Sequence, residues 1–291
     1  MADARPVLYP RPEAIYEVST AGIGVVQRPL SLGQRLANNG GLRKTLVLVA
    51  LALIWEGYAR WLDNDLLFPT FSATLAAFST SILNGQLPAA TWYSMKILLQ
   101  GYACGLFFAG LLTAFASATR IGADLLEVLT AMFNPLPSIA LLPLAMIWFG
   151  LGNGGVIFVL IHAVLWAVAL NTHSGFRGVS PTWRMVGQNY GLSNLGYVLR
   201  ILIPGAFPSI LTGLKIGWAF AWRTLIAAEL VFGASSGGGG LGWFIFQSKN
   251  SLEIPSVFAG LLTVIILGLV VENCIFLVAE KITVRRWGMQ Q

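Results

Sequence analysis

Lys215, Arg223 and Glu229 lie within one apolar stretch, "GLKIGWAFAWRTLIAAELVFG" (213–233). At the centre of a membrane helix an ionisable side chain costs about 2.5–3.5 kcal/mol on insertion scales, so such groups face cavities or partners. Lys215, Trp222 and Glu229 fall on one helical face. Lys215 and Glu229 are separated by about 21 Å along a helix, so they cannot pair within it. Two readings of Lys215 stand: a place on a polar path, or a side chain that reaches back to the membrane interface. Arg223 lies deeper. It either offers a transient positive field to a passing anion or pairs with Glu229 or with Glu56 of another helix.

His162 and His173 share a helical face but are eleven residues apart, too far to hold one metal ion. His162 reads as a packed or hydrogen-bonded residue. Asn134, Pro135, Pro137 and Pro143 interrupt another apolar stretch. Broken helices are tolerated where neighbours or a cavity satisfy the freed carbonyls, so this stretch is expected to line a path and flex. The candidate path residues are thus Asn134, Pro137, His162, Lys215, Trp222, Arg223 and Glu229. No compact Ser-His pair or carboxylate pair points to catalysis. Cys104 and Cys274 both sit in apolar stretches and read as packing residues. "GGLRKT" (40–45) has the wrong spacing for a phosphate loop, so the chain itself is expected to bind neither ATP nor metal.

The elements that position these groups follow from composition. The chain has 291 residues, 56% hydrophobic and 10% charged, with mean hydropathy +0.73. A soluble domain carries about 25% charged residues. This is an all-α integral membrane protein. Its net charge of +6 reflects cations gathered in cytoplasmic loops rather than a nucleic-acid partner. About six stretches are long enough to span: roughly 43–62, 91–117, 124–148, 153–176, 204–232 and 255–280. Arg43, Lys44, Arg120, Arg177, Arg184, Arg200, Lys281, Arg285 and Arg286 mark one side. The other side holds Asp63, Asp65, Lys249 and Glu253. Both termini are therefore expected in the cytoplasm. The expected organisation is a tail over 1–42 with no cleavable signal, a membrane domain over 43–280, and a basic tail over 281–291. Glu272, in the last span, is expected to anchor a subunit contact.

The loops carry their own signals. Residues 64–88 predict a short helix starting near Pro69. Residues 233–250 combine a glycine run with an apolar patch. The glycine tract could be a plain flexible linker, but its placement before an apolar patch suggests that Gly239, Gly240, Leu241, Gly242 and Trp243 form a re-entrant or gating element on the outer side. In "TWRMVGQNYGLSNLGYVLRIL" (182–202) the apolar spacing approximates two short amphipathic helices broken near Gly191. Pro204 then starts the fifth span, where its missing N–H costs nothing. The result is an elbow within 177–203, lying on the inner membrane face.

This elbow resembles the coupling segment of ATP-binding-cassette importer permeases. Gly191 is followed after nine residues by Ile201, then Leu202, Ile203 and Pro204. The family's Glu-Ala-Ala positions hold Met185, Val186 and Gly187 instead. "NPLPSIALLPLAMIWFGLGNGG" (134–155), residues 213–233 and "GGLGWFIF" (239–246) are similar to the sulfonate, nitrate and taurine permeases. The likeness covers roughly 45–280.

It implies a type I importer permease in a bacterial inner membrane. A cytoplasmic ATPase dimer, using ATP and Mg, would dock at 182–197. Its contacts would come from Trp183, Arg184, Met185, Val186, Gly187, Tyr190, Gly191, Leu192, Ile201 and Pro204. A second, identical permease subunit, surrounding lipids and a periplasmic or lipid-anchored binding protein would complete the assembly. The cargo would be a small anion, with sulfonate or taurine ahead of nitrate and other organic acids. The rival reading is an ion-coupled secondary transporter, which usually carries inverted repeats. No clear internal repeat is seen, and the elbow would go unexplained.

Overall fold

The computed structural model describes residues 40–150, 152–232 and 239–286. Among the described residues all regular structure is helical. The chain divides into two compact units, Met1–Ala52 and Leu53–Gln291. Of the first, only Gly40–Ala52 is described, as the front half of helix α1 (Gly40–Leu62). The amino-terminal tail expected over 1–42 lies almost wholly outside the described residues.

In the second unit the back half of α1 leads to α2 (Phe71–Leu83) and the long α3 (Gln86–Ala118). Next come α4 (Arg120–Phe133), a 3-10 turn (Ser138–Leu141) and α5 (Leu142–Phe149). Helix α6 (Asn153–Gly178) is followed by α7 (Pro181–Asn189) and α8 (Asn194–Tyr197). A π turn (Val198–Leu202) runs straight into α9 (Ile203–Phe232). Helices α10 (Leu241–Asn250) and α11 (Ile254–Val270) follow, and α11 continues through π turns and α12 (Leu277–Glu280) to Arg285.

Five of these helices are long and apolar enough to cross a membrane, and a sixth span results if the bent pair α4–α5 counts as one. That pair turns by 88° at Asn134–Pro137. Pro135 and Pro137 each lack an N–H, so the ladder is not continued past Asn134, which is itself still helical, and the chain turns extended at Pro137. The third stretch is therefore a corner rather than a rod. The short helix expected near Pro69 is α2, capped by the Thr70 hydroxyl on the Ala73 N–H. Two contacts hold α2 against the end of α1. Trp55 Nε1 donates to Pro69 O at 2.9 Å, and Glu56 accepts from the Ser72 N–H at 3.0 Å.

Helix α6 is the centre of the packing, with α3 on one side and α9 on the other. Both crossings are close because each partner presents a glycine pair four residues apart. A Cβ on Gly101 would sit 2.6 Å from Leu160 Cβ, and one on Gly105 2.7 Å from Val164 Cβ. On α9, a Cβ at Gly213 would sit 2.8 Å from Asn171 Cβ, and one at Gly217 3.0 Å from Val168 Cγ2. Small residues let membrane helices approach until backbone and side-chain packing supplies the attraction. Leu98, Leu160, Val164, Leu225 and Ala228 fill the resulting core.

The elbow takes its shape from local hydrogen bonds. Gly191 has φ of 63°. The Leu192 N–H donates to Gly187 O and the Gly191 N–H to Gln188 O, at 3.0 and 2.9 Å. This is a Schellman stop for α7, and it needs a left-handed residue that glycine supplies without strain.

Pro204 is the second residue of α9, where its missing N–H costs little. The chain is already helical ahead of it, from Asn194 through the π turn, and Pro208 lies inside α9. The π turn ends just before Pro204, which lacks a donor to the ladder.

Candidate functional site

The 88° corner, α6 and α9 enclose an open cavity of about 220 Å³. Asn134 and Pro137 line it from the corner, His162 from α6 and Arg223 from α9. Four of the seven path residues expected from sequence therefore meet. Ser138, Trp166, Phe220 and Thr224 also line the cavity, and sequence reasoning missed them.

Ser138 Oγ and His162 Nδ1 are 3.2 Å apart, which ties the corner to α6. Trp166 stacks on Phe133 at 5.5 Å between ring centres. His162 Nε2 and Trp166 Nε1 are buried and have no hydrogen-bond partner among the described residues. Buried polar atoms are normally satisfied, so two such atoms beside one cavity mark a place where a ligand or water completes the bonding. Arg223 makes no ion pair among the described residues. Its Nε donates to Ala219 O at 3.2 Å, and its guanidinium carbon lies 5.6 Å from the Phe220 ring centre. The cavity thus offers a positive charge, a hydroxyl and an aromatic wall, with the buried Trp166 indole N–H beside it.

The other three path candidates are placed elsewhere. Lys215 forms an ion pair with Glu280 at 2.7 Å, joining α9 to α12. Its side chain remains partly exposed. Trp222 is buried in the core between helices. Glu229 is buried and pairs with neither Lys215 nor Arg223. Both its oxygens accept from Ser94 Oγ, at 2.7 and 2.8 Å, and Oε2 also accepts from the Gly242 N–H at 2.8 Å. Glu56 is taken by Arg60 and Ser72, so neither expected partner of Arg223 is free. Helical-face arithmetic could not separate these cases, because each fate depends on a residue from a distant element.

The outer-loop residues join the Glu229 node. The Leu241 N–H donates to Ser94 Oγ at 2.8 Å, and Leu241 is fully buried. A Cβ on Gly240 would collide with the Glu229 carboxylate, and one on Gly239 with the Trp243 ring. Here glycine is required because a carboxylate and an indole occupy the space. The start of α10 is thereby tied to α3 and α9. Residues 233–238 of the glycine run lie outside the described residues.

On the elbow, Trp183, Met185 and Tyr190 are 58%, 55% and 82% exposed. Leu192 and Val186 are half-buried, and Gly187 is buried against Tyr197 and Ile201. Of Arg184 only the backbone is described. Ile201 and Pro204 are half-buried. The outward residues form an apolar and aromatic knob on a hydrogen-bonded frame.

The architecture is that of a multi-pass helical membrane protein with a broken-helix cavity and an exposed elbow. Residues 101–284 match the family described as binding-protein-dependent transport system inner membrane component. The chain belongs to this family of ATP-binding-cassette importer permeases, and the match contains the cavity, the elbow and α10.

The chain is 29% identical over 248 residues to a Methanocaldococcus jannaschii protein named as a candidate ABC transporter permease, covering 84% of this chain and 92% of that protein. It is 30% identical over 195 residues to the taurine transport system permease protein TauC of Escherichia coli, covering 65% of this chain and 68% of TauC. It is 33% identical over 152 residues to the nitrate import permease protein NrtB of a Synechocystis species, covering 52% and 54%.

Proposed function

We propose that this chain forms the translocation path of an ATP-driven importer for a small oxyanion, with a sulfonate such as taurine as the first candidate cargo. The observation that carries the reading is Arg223. Among the described residues it is a cation without an ion pair, at a cavity beside which His162 Nε2 and Trp166 Nε1 also lack partners. A charged group inside a membrane protein faces a cavity or a partner, and here the cavity is present. Nitrate and other small organic acids share the needed chemistry. Two relatives are named for taurine transport and nitrate import, which supports a cargo of that class.

ATP and Mg are used by a separate cytoplasmic ATPase dimer, which docks on Trp183, Met185 and Tyr190. A second copy of this chain faces the open side of the cavity, so that the path lies on a two-fold axis. An external binding protein supplies affinity, and the path itself binds weakly. Both termini lie in the cytoplasm, as the cation distribution requires. ATP drives the ATPases together, the elbows carry that motion into the corner and α9, and the path changes the side it faces. Family membership weighs against an ion-coupled mechanism.

The test is uptake of labelled taurine and nitrate by vesicles holding the whole assembly. Arg223→Gln, at matched membrane abundance, is expected to reduce uptake by at least about tenfold, the loss of one charge-assisted contact. Unchanged uptake by Arg223→Gln would sink the path assignment. Uptake driven by an ion gradient without ATP would sink the importer reading.

A further inference from the structure

A second cavity, of about 660 Å³, lies at the elbow end of the fold. Arg120 lines it from the first turn of α4 and Arg177 from the last turn of α6. His173, one turn before Arg177, adds an imidazole, and Pro181, Tyr197 and Leu202 bring both limbs of the elbow to its wall. It shares no lining residue with the Arg223 cavity. His162 and His173 set the two about 16 Å apart along α6.

Three observations point to a ligand. Neither Arg120 nor Arg177 makes an ion pair or side-chain hydrogen bond among the described residues. His173 Nδ1 is buried and has no partner among them. The volume falls in the usual range for small-ligand sites, about 300–1,000 Å³. A bias of cations toward one membrane side accounts for the charge alone. It accounts neither for a cleft of this volume lined by two arginines nor for a buried imidazole nitrogen left unbonded among the described residues beside it. Two rigid forks and an imidazole suit a tetrahedral oxyanion, which accepts several charge-assisted hydrogen bonds at once.

We propose that this cavity is a second oxyanion site, holding a phosphate- or sulfate-like group against the elbow. The group comes either from a soluble anion or from the headgroup of an anionic phospholipid. Because Pro181, Tyr197 and Leu202 form part of the wall, the occupant braces the elbow against the start of α4 and the end of α6. This goes beyond the importer reading and stands whether or not Arg223 meets the cargo.

The test uses the full-length chain in nanodiscs, with thermal stability as the readout. In one arm, neutral-lipid discs are titrated with sodium sulfate against sodium chloride of equal ionic strength. In the other, phosphatidylglycerol replaces part of the neutral lipid and no sulfate is added. Saturable stabilisation in at least one arm is expected, with the midpoint raised about tenfold by Arg120→Gln or Arg177→Gln. Arg120→Lys and Arg177→Lys, which keep the charge, are expected to retain part of the response. A sulfate response assigns a soluble anion, and a lipid response assigns a headgroup. No saturable response in either arm, or an equal response in the Arg120→Gln/Arg177→Gln double variant, overturns the proposal. A sulfate response that Arg223→Gln removes and the double variant keeps also overturns it, by placing the anion in the other cavity.

Discussion

Ser94 Oγ lies 2.7 and 2.8 Å from the two carboxylate oxygens of Glu229, 135 residues away in sequence. The same hydroxyl oxygen accepts the Leu241 N–H, and the carboxylate accepts the Gly242 N–H. One buried node therefore fastens α3, α9 and the start of α10.

Ser94→Ala leaves the Leu241 N–H unsatisfied and removes one donor from Glu229. A buried polar group without its partner costs about 1–3 kcal/mol. The variant is expected to melt several degrees lower in detergent than the parent, by tryptophan fluorescence. Gly242→Ala is expected to be at least as damaging, because its Cβ would press on Ile226 O and the Glu229 side chain. Normal melting of both variants would mean that the node does not hold α10.

Gly101→Leu is expected to prevent the close crossing of α3 and α6. The new side chain would occupy the space of Leu160, which a Cβ on Gly101 already approaches to 2.6 Å. Overpacking a core contact costs about 1–3 kcal/mol or more. Gly110→Leu serves as the comparison, since a Cβ there meets nothing within 4 Å. Folded yield by size-exclusion chromatography should fall for the first variant and hold for the second. Equal yields would refute the crossing as a packing contact.

Lys215 and Glu280 are each partly exposed, with side-chain accessibilities of 32% and 28%. The pair is therefore expected to be worth only about 1 kcal/mol. A double-mutant cycle with Lys215→Met and Glu280→Gln, read by thermal unfolding, measures that coupling. A coupling of zero, together with transport lost on Lys215→Met alone, would return Lys215 to the path.

The elbow separates stability from docking. Gly191→Ala places a Cβ on a residue with φ of 63° and is expected to cost about 1 kcal/mol through left-handed strain. Tyr190→Ala removes an 82%-exposed ring and is expected to leave stability unchanged while reducing recovery of the ATPase in pull-downs. If Tyr190→Ala lowers the melting temperature and keeps the ATPase, the knob is structural.

Sequence alone determined the features that rest on neighbours along the chain. Hydropathy placed the spanning helices, because each must satisfy its own backbone in lipid. The prolines of 134–143 marked the corner, and Gly191 marked the elbow, because both act through local dihedral limits. The glycine pairs at 101/105 and 213/217 acquired their meaning only from the helices they meet, at Leu160 and Val164 for the first, at Asn171 and Val168 for the second. Tertiary structure alone decided the fates of the charges. Lys215, Arg223 and Glu229 share one apolar helix, yet one pairs with Glu280, one opens onto a cavity and one is buried under Ser94 and Gly242. A buried charge is settled by whichever partner or space reaches it, and those partners lie tens of residues away on other helices. Pro204 shows both sides. Its ring favours a helix start, and it is the second residue of α9, but the π turn that joins α8 to α9 ahead of it was not legible from that residue.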